Sequence, residues 1–247
     1  MNQILRSLWE RKSVRVFEER PIPEDEIRSI LLAAMEAPTA GNQQLYTILR
    51  ITDAEKKVLL AESCDHQPFI ASAPLVLIFC ADVQKWFDAF EEGGAHPRKP
   101  GAGDLMLAVE DALIAAQNAV VAAQSLGIGS CYIGDILEQC EFHRKLLQLP
   151  EYVFPAAMLV LGYPTQQQRE RTKPERCRFE DIVQENVYRR RSGEELRRMF
   201  QKETRNCSYE EWSQAFCRRK YNSDFSKEMS RSVEEYLKPF RKNDPEH

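Results

Sequence analysis

The stretch "LMLAVEDALIAAQNAVVAAQSLG", residues 105–127, limits the possible folds more than any other part of this chain. Its length and residue types predict a helix of about six turns. The helix is apolar on nearly every face, so it belongs at the centre of a core or in a subunit interface. A second run, "APLVLIFCAD" (73–82), is apolar without alternation, as in a strand covered on both faces. Three further strand patterns are "LYTILRIT" (45–52), "IGSCYIG" (128–134) and "PAAMLVLGY" (155–163). Between them lie helical patterns. "PEDEIRSILLAAMEA" starts at Pro23 with three acids, carries an apolar stripe of Ile27, Ile30, Leu31 and Ala34, and stops before Pro38. "DAEKKVLLAES" (53–63) reads as a shorter helix. This alternation predicts an α/β or α+β domain with a sheet of about four strands. "EEGGAHPRKPGAGD" (91–104) is a loop by its Gly and Pro content.

From about residue 164 the texture turns polar, and from Glu194 to Phe240 it is charged with helical stretches. Trp212, Phe216, Tyr221 and Phe225 give this tail something to bury on the main domain or on a partner. The expected division is a main domain over 1–190 and a charged helical extension over 191–247.

Composition excludes several classes. The 247 residues are 43% hydrophobic with a formal net charge of −4. That is a poor basis for general nucleic-acid binding, and glutamates interleave the basic residues of "YRRRSGEELRR". The seven cysteines form no C-x-x-C pair, which points to reduced thiols in the cytoplasm. The N-terminus lacks the apolar core of a signal peptide, and no uninterrupted apolar run reaches membrane-spanning length. The four histidines show no metal-ligand spacing, and there is no G-x-S-x-G or evident nucleophile set.

Four short stretches remain as candidates for chemistry. "ERKSVRVF" (10–17) brackets a hydroxyl with cations. If it is extended, Arg11, Ser13 and Arg15 share one side; if helical, Arg11 and Arg15 still share a face. Two guanidinium forks and a hydroxyl suit a phosphate, though a solvated basic turn is the plainer alternative. "APTAGNQQ" (37–44) joins a helix to a strand, with amides on Asn42 and Gln44 that could pair with a heterocycle edge. "LGIGSCYIGD" (126–135) has the wrong order and spacing for a dinucleotide fingerprint. "KPERCR" (173–178) is a late basic cluster.

Taken in order, these pieces resemble the nitroreductase family of FMN-dependent NAD(P)H oxidoreductases over roughly residues 4–190. The resemblance implies a three-layer α+β fold, with a mixed sheet of four or five strands flanked by helices, in an intertwined homodimer. It also implies an FMN site at the subunit interface, with NAD(P)H as transient hydride donor and electron-poor organic molecules as acceptors. By that resemblance Arg11, Lys12, Ser13 and Arg15 grip the phosphate and ribityl chain, joined by Lys173 and Arg176, or by Arg178 in place of Arg176. Pro38, Thr39, Ala40, Asn42 and Gln44 approach the flavin ring from the partner subunit. Gln67, Tyr132, Ile133, Gly134 and Asp135 complete the site. Thr39 stands where serine is commoner, and Asp135 where the family carries glycine. No side chain is assigned a catalytic acid or base role, since the flavin carries the redox chemistry. Reduction of another acceptor (dehalogenation, enoate or flavin reduction) is the nearest alternative, and a non-catalytic flavin-binding protein a more distant one.

Overall fold

The computed structural model describes residues 1–241, which form two compact units: Met1–Thr172 with the chain from Glu228 onward, and Lys173–Lys227. The first unit contains helices α1 (Gln3–Glu10), α2 (Glu24–Met35), α3 (Ala54–Ser63), α4 (Pro68–Ser72), α5 (Gln84–Glu92), α6 (Ala102–Ser125), α7 (Cys140–Leu147) and α8 (Gln166–Glu170). Its strands are β1 (Tyr46–Ile51), β2 (Leu75–Asp82), β3 (Gly129–Ile133) and β4 (Val153–Gly162). The second unit holds α9 (Phe179–Ile182), α10 (Gly193–Met199) and α11 (Tyr209–Lys220). The last helix, α12 (Asp224–Arg241), begins in the second unit and continues in the first.

The four strands pair antiparallel in the order β1-β2-β4-β3. A parallel bridge from Ser13 to Ser130 adds the N-terminal segment along β3, which makes the pairing mixed at that edge. Every residue of β2 is buried, as its unbroken apolar run predicts. Its alternate side chains supply two cores. Leu75, Leu77 and Phe79 face α2 and α6 with Leu159 and Leu161 of β4. Val76, Ile78 and Cys80 face the other way, with Met158 and Val160, toward Leu60 and Ile70 of α3 and α4. This is the helix–sheet–helix layering expected from the sequence.

By length and hydropathy α6 would pass for a membrane span, contrary to the expectation that no segment reaches that length. In this fold it is a core helix. Ala108, Ala112, Ala115, Ala116, Ala119 and Ala123 are buried, and their small side chains let α6 lie close to the sheet. On its other side Met106, Leu107, Leu113 and Ile114 stay exposed.

The tail is not uniformly peripheral. Tyr236 and Phe240 of α12 are buried in the first unit's third core cluster. Their rings meet Phe154 at 5.1 Å and Tyr152 at 5.5 Å, both edge-to-face. Within the second unit Trp212 packs against Phe200 at 4.9 Å, but Tyr221 is 77% exposed. The aromatic residues expected to anchor the tail are therefore only partly the ones that do so.

Candidate functional site

Helix α1 ends at Glu10, and the chain then runs extended, with Val14 N donating to Ser130 O at 2.9 Å. The extended alternative for "RKSVR" is the one realised. Val14 points inward and is buried against Gly129, where an added Cβ would lie 2.6 Å from Val14 Cγ2. Gly162 plays the same part for Phe17, whose ring would meet a Cβ at 2.7 Å. Two missing side chains thus let residues 13–18 lie flat on the sheet edge.

On the opposite side of that segment are Arg11, Ser13 and Arg15. All three influence the Cys131 thiol on β3: burial raises its pKa, while Arg15, Ser13 and Arg11 oppose the rise. The three groups therefore all lie on the Cys131 side of the segment, along the edge of β3. Arg11 Nη1 is buried there without a hydrogen-bond partner. A buried guanidinium N–H left unpaired is costly, and an anion would satisfy it. Lys12, also assigned to the phosphate by resemblance, lines the same cleft as Arg11, but its ammonium is engaged, donating to Arg169 O at 2.6 Å and to Arg171 O. It ties the segment to the last turn of α8 and the residue that follows it. Lys173 and Arg176 lie in the second unit, where Arg178 forks onto Asp181 at 3.0 Å through both Nε and Nη2.

A second group sits where β3 ends. Ile133 is buried, and Gly134 and Asp135 open the 3-10 turn Gly134–Leu137. Gln67 Nε2 donates to Asp135 Oδ2 at 2.7 Å and to Cys64 O at 2.8 Å. Burial raises the Tyr132 hydroxyl to about 12, so it stays protonated; it donates weakly to Gln117 Oε1 at 3.4 Å. Behind Asp135 lies Glu138, 5% exposed, whose pKa is pushed up to about 7 by burial first and then by Asp135, Asp65 and Glu228. Burial also raises the Cys64 and Cys80 thiols to about 12, so neither is a ready nucleophile.

A third group is the turn "PTAGNQ". Pro38, Asn42 and Gln44 are exposed, and Gly41, Asn42 and Gln44 all have positive φ. The residue that holds this turn went unrecognised in the sequence: Asp111 of α6, 3% exposed. Its carboxylate accepts from Thr39 Oγ1, from Ala40 N at 3.0 Å and from Leu45 N at 3.1 Å. Gln44 N in turn donates to Thr39 Oγ1 at 2.7 Å. The available signal was an acid inside an otherwise apolar helix, which has to be paired once buried.

The structure unites the first two groups along β3 but not the third. The turn is anchored at Asp111, whereas Gln124 of the same helix lines the cleft beside Arg11 and Lys12. Those two positions on α6 are about 20 Å apart along its axis. The donor set at β3, with its unpaired buried guanidinium, fits the phosphate end of FMN.

Residues 8–163 match the family model for the nitroreductase family. The FMN reductase [NAD(P)H] of Bacillus subtilis is 30% identical over 240 residues, covering 96% of this chain and 91% of that protein. The oxygen-insensitive NADPH nitroreductase of Salmonella typhimurium is 30% identical over 188 residues, covering 76% of this chain and 75% of that protein. The solved structure of B. megaterium NfrA2 superposes with a TM-score of 0.82 at 28% identity, covering 98% of this chain and all of that one. An orphaned cation at the edge of β3, an antiparallel four-stranded sheet and a match over most of the core agree: the chain belongs to the nitroreductase family.

Proposed function

We propose that this protein is an FMN-dependent NAD(P)H oxidoreductase that reduces electron-poor acceptors such as nitroaromatics or quinones, as a cytoplasmic homodimer. The observation that carries the cofactor reading is the buried, unpartnered Arg11 Nη1 beside Ser13 and Arg15. The names of the relatives support the reaction class.

When bound, FMN supplies a ring that takes hydride from NAD(P)H and passes it to the acceptor in a ping-pong cycle. The protein's residues bind and orient. Arg11, Ser13 and Arg15 neutralise and position the phosphate. Lys12 holds the segment carrying them, through the carbonyls of Arg169 in α8 and of Arg171 just after it. Gln67, Tyr132, Ile133 and Gly134 form a wall for the ring, with Asp135 joined to Gln67 behind it. Pro38, Thr39, Ala40, Asn42 and Gln44 reach the ring of the partner's site from a turn that Asp111 keeps rigid.

Two observations support the dimer. The turn stands about 20 Å along α6 from the phosphate cluster, so it is no part of the phosphate end of its own chain's site. Large apolar side chains also remain uncovered: Met106 at 57% and Leu113 on α6, with Ile4 at 66% on α1. The relative named FMN reductase favours free flavin as a second acceptor.

The direct test of the cofactor reading compares FMN with riboflavin. FMN should bind at least tenfold more tightly, since each charge-assisted phosphate contact contributes about 1.5–3 kcal/mol. Equal affinities would contradict the reading. Sedimentation should give a dimer carrying two flavins; an active, flavin-loaded monomer would contradict the assembly.

A further inference from the structure

The turn between α3 and α4 is held in an unusual shape. Asp65 and His66, consecutive residues with side chains, have φ of 59° and 51°. Such residues rarely occupy the left-handed region, and the surroundings must enforce it. Here Gln67 N donates to Ala61 O at 2.9 Å, and His66 N to Glu62 O at 3.3 Å, closing the chain back onto α3. The result places Gln67, half-buried, with its amide nitrogen between two acceptors: Cys64 O at 2.8 Å and Asp135 Oδ2 at 2.7 Å. A carbonyl and a carboxylate can only accept, so the amide cannot be turned over without setting its oxygen against both. Both of its N–H donors are spent, which leaves Gln67 only an acceptor, Oε1, for any further partner.

We propose that Asp135 is a positioning residue: its carboxylate locks the Gln67 amide so that the side chain offers the flavin an acceptor and never a donor. The inference rests on the FMN reading of this site. It assigns a purpose to the acid at the end of β3, whose carboxylate accepts from Gln67. With a glycine there, the amide would keep one fixed partner, Cys64 O, and could turn to donate as well as accept. With Asp135 present, Gln67 complements an N–H of the isoalloxazine ring and opposes its bare carbonyl and imine edges. The lock spans two separate elements, the α3–α4 turn and the 3-10 turn after β3, so it also fixes their spacing across the ring wall.

The test is a double-mutant cycle read on FMN release from the holoenzyme. Asp135→Ala, Gln67→Ala and the double variant are diluted serially, and free FMN is followed by its fluorescence. The shape of the bound flavin's visible absorption band is recorded alongside. Each single variant should raise the FMN dissociation constant about tenfold, and the double should also stand near tenfold, because Asp135 acts only through Gln67. Asp135→Asn, which keeps an acceptor oxygen for the Gln67 amide, should restore binding to within about threefold and return the wild-type band. Should Asp135→Ala fail to fold, Asp135→Ser serves in its place. An additive cycle of about a hundredfold would overturn the inference. So would an Asp135→Asn variant as weak as Asp135→Ala, or an Asp135→Ala variant with a lower melting temperature but unchanged FMN release and band shape. A wild-type protein that carries no FMN overturns both this inference and the cofactor reading, whereas additivity in a wild-type flavoprotein overturns the inference alone.

Discussion

Replacing Asp111 with alanine removes the anchor of the 39–45 turn while leaving the apolar packing of α6 largely intact. The carboxylate accepts three hydrogen bonds at a position only 3% exposed. Bonds to a charged group contribute about 1.5–3 kcal/mol each, a gross of roughly 5–9 kcal/mol. The variant is spared the cost of burying a charge, which is several kcal/mol. It keeps the penalty for the N–H groups of Ala40 and Leu45, orphaned at about 1–3 kcal/mol each. The expected net loss is about 3–4 kcal/mol, or roughly 6–15 °C in melting temperature for a chain of this size. Asp111→Asn keeps one acceptor oxygen but turns an NH2 toward a backbone donor, so it should recover less than half. The assay is urea unfolding by circular dichroism at two protein concentrations, which separates subunit dissociation from unfolding. A loss under about 1 kcal/mol would refute the claim that this carboxylate holds the turn.

Three further outcomes are expected. Arg15→Ala, an exposed position, should weaken FMN about tenfold or more without lowering the melting temperature of the flavin-free protein, as titration and thermal scans would show. Gly129→Ala places a methyl 2.6 Å from Val14 Cγ2, so the 11–15 segment must lift off β3. It should cost about 1–3 kcal/mol and weaken FMN as well, and unchanged FMN affinity would show that the seating of this segment is unimportant. Glu138, raised from 4.5 to about 7, prefers its proton in the fold, so its contribution is complete below pH 4.5 and lost as pH rises through 7. Glu138→Gln should therefore match wild type near pH 4.5 and exceed it in stability at pH 8, read from denaturation midpoints across that range.

The core was legible because its signals are local and strong. The run 73–82 reads as a doubly covered strand, and β2 is buried along its full length. The helix drawn at 105–127 is α6 at Ala102–Ser125, displaced because Asp104 accepts from Gly101 N and caps a start three residues earlier. That Arg11, Ser13 and Arg15 share one side was legible as one of two alternatives, the extended one, in residues 11–15. What could not be read were the long-range pairings. Asp111 meets residues 39–45 only after α6 crosses the sheet, and Lys12 finds carbonyls more than 150 residues away. Nothing local in "HQPF" or "YIGD" announces that Gln67 and Asp135 touch. Likewise nothing local separates Tyr236 and Phe240, which are buried, from Phe216 and Tyr221 of the same tail, which are exposed.

The central claim is that this protein passes hydride from NAD(P)H to an acceptor through bound FMN. Anaerobic stopped-flow mixing of the purified holoenzyme with NADPH, and separately with NADH, tests it most directly. The account predicts that the yellow oxidised flavin bleaches in a single turnover with at least one nucleotide. It further predicts that the colour returns when a nitroarene, a quinone or free FMN is added without oxygen. A bound flavin that neither nucleotide bleaches, or one that bleaches but is reoxidised by none of these acceptors, would contradict it.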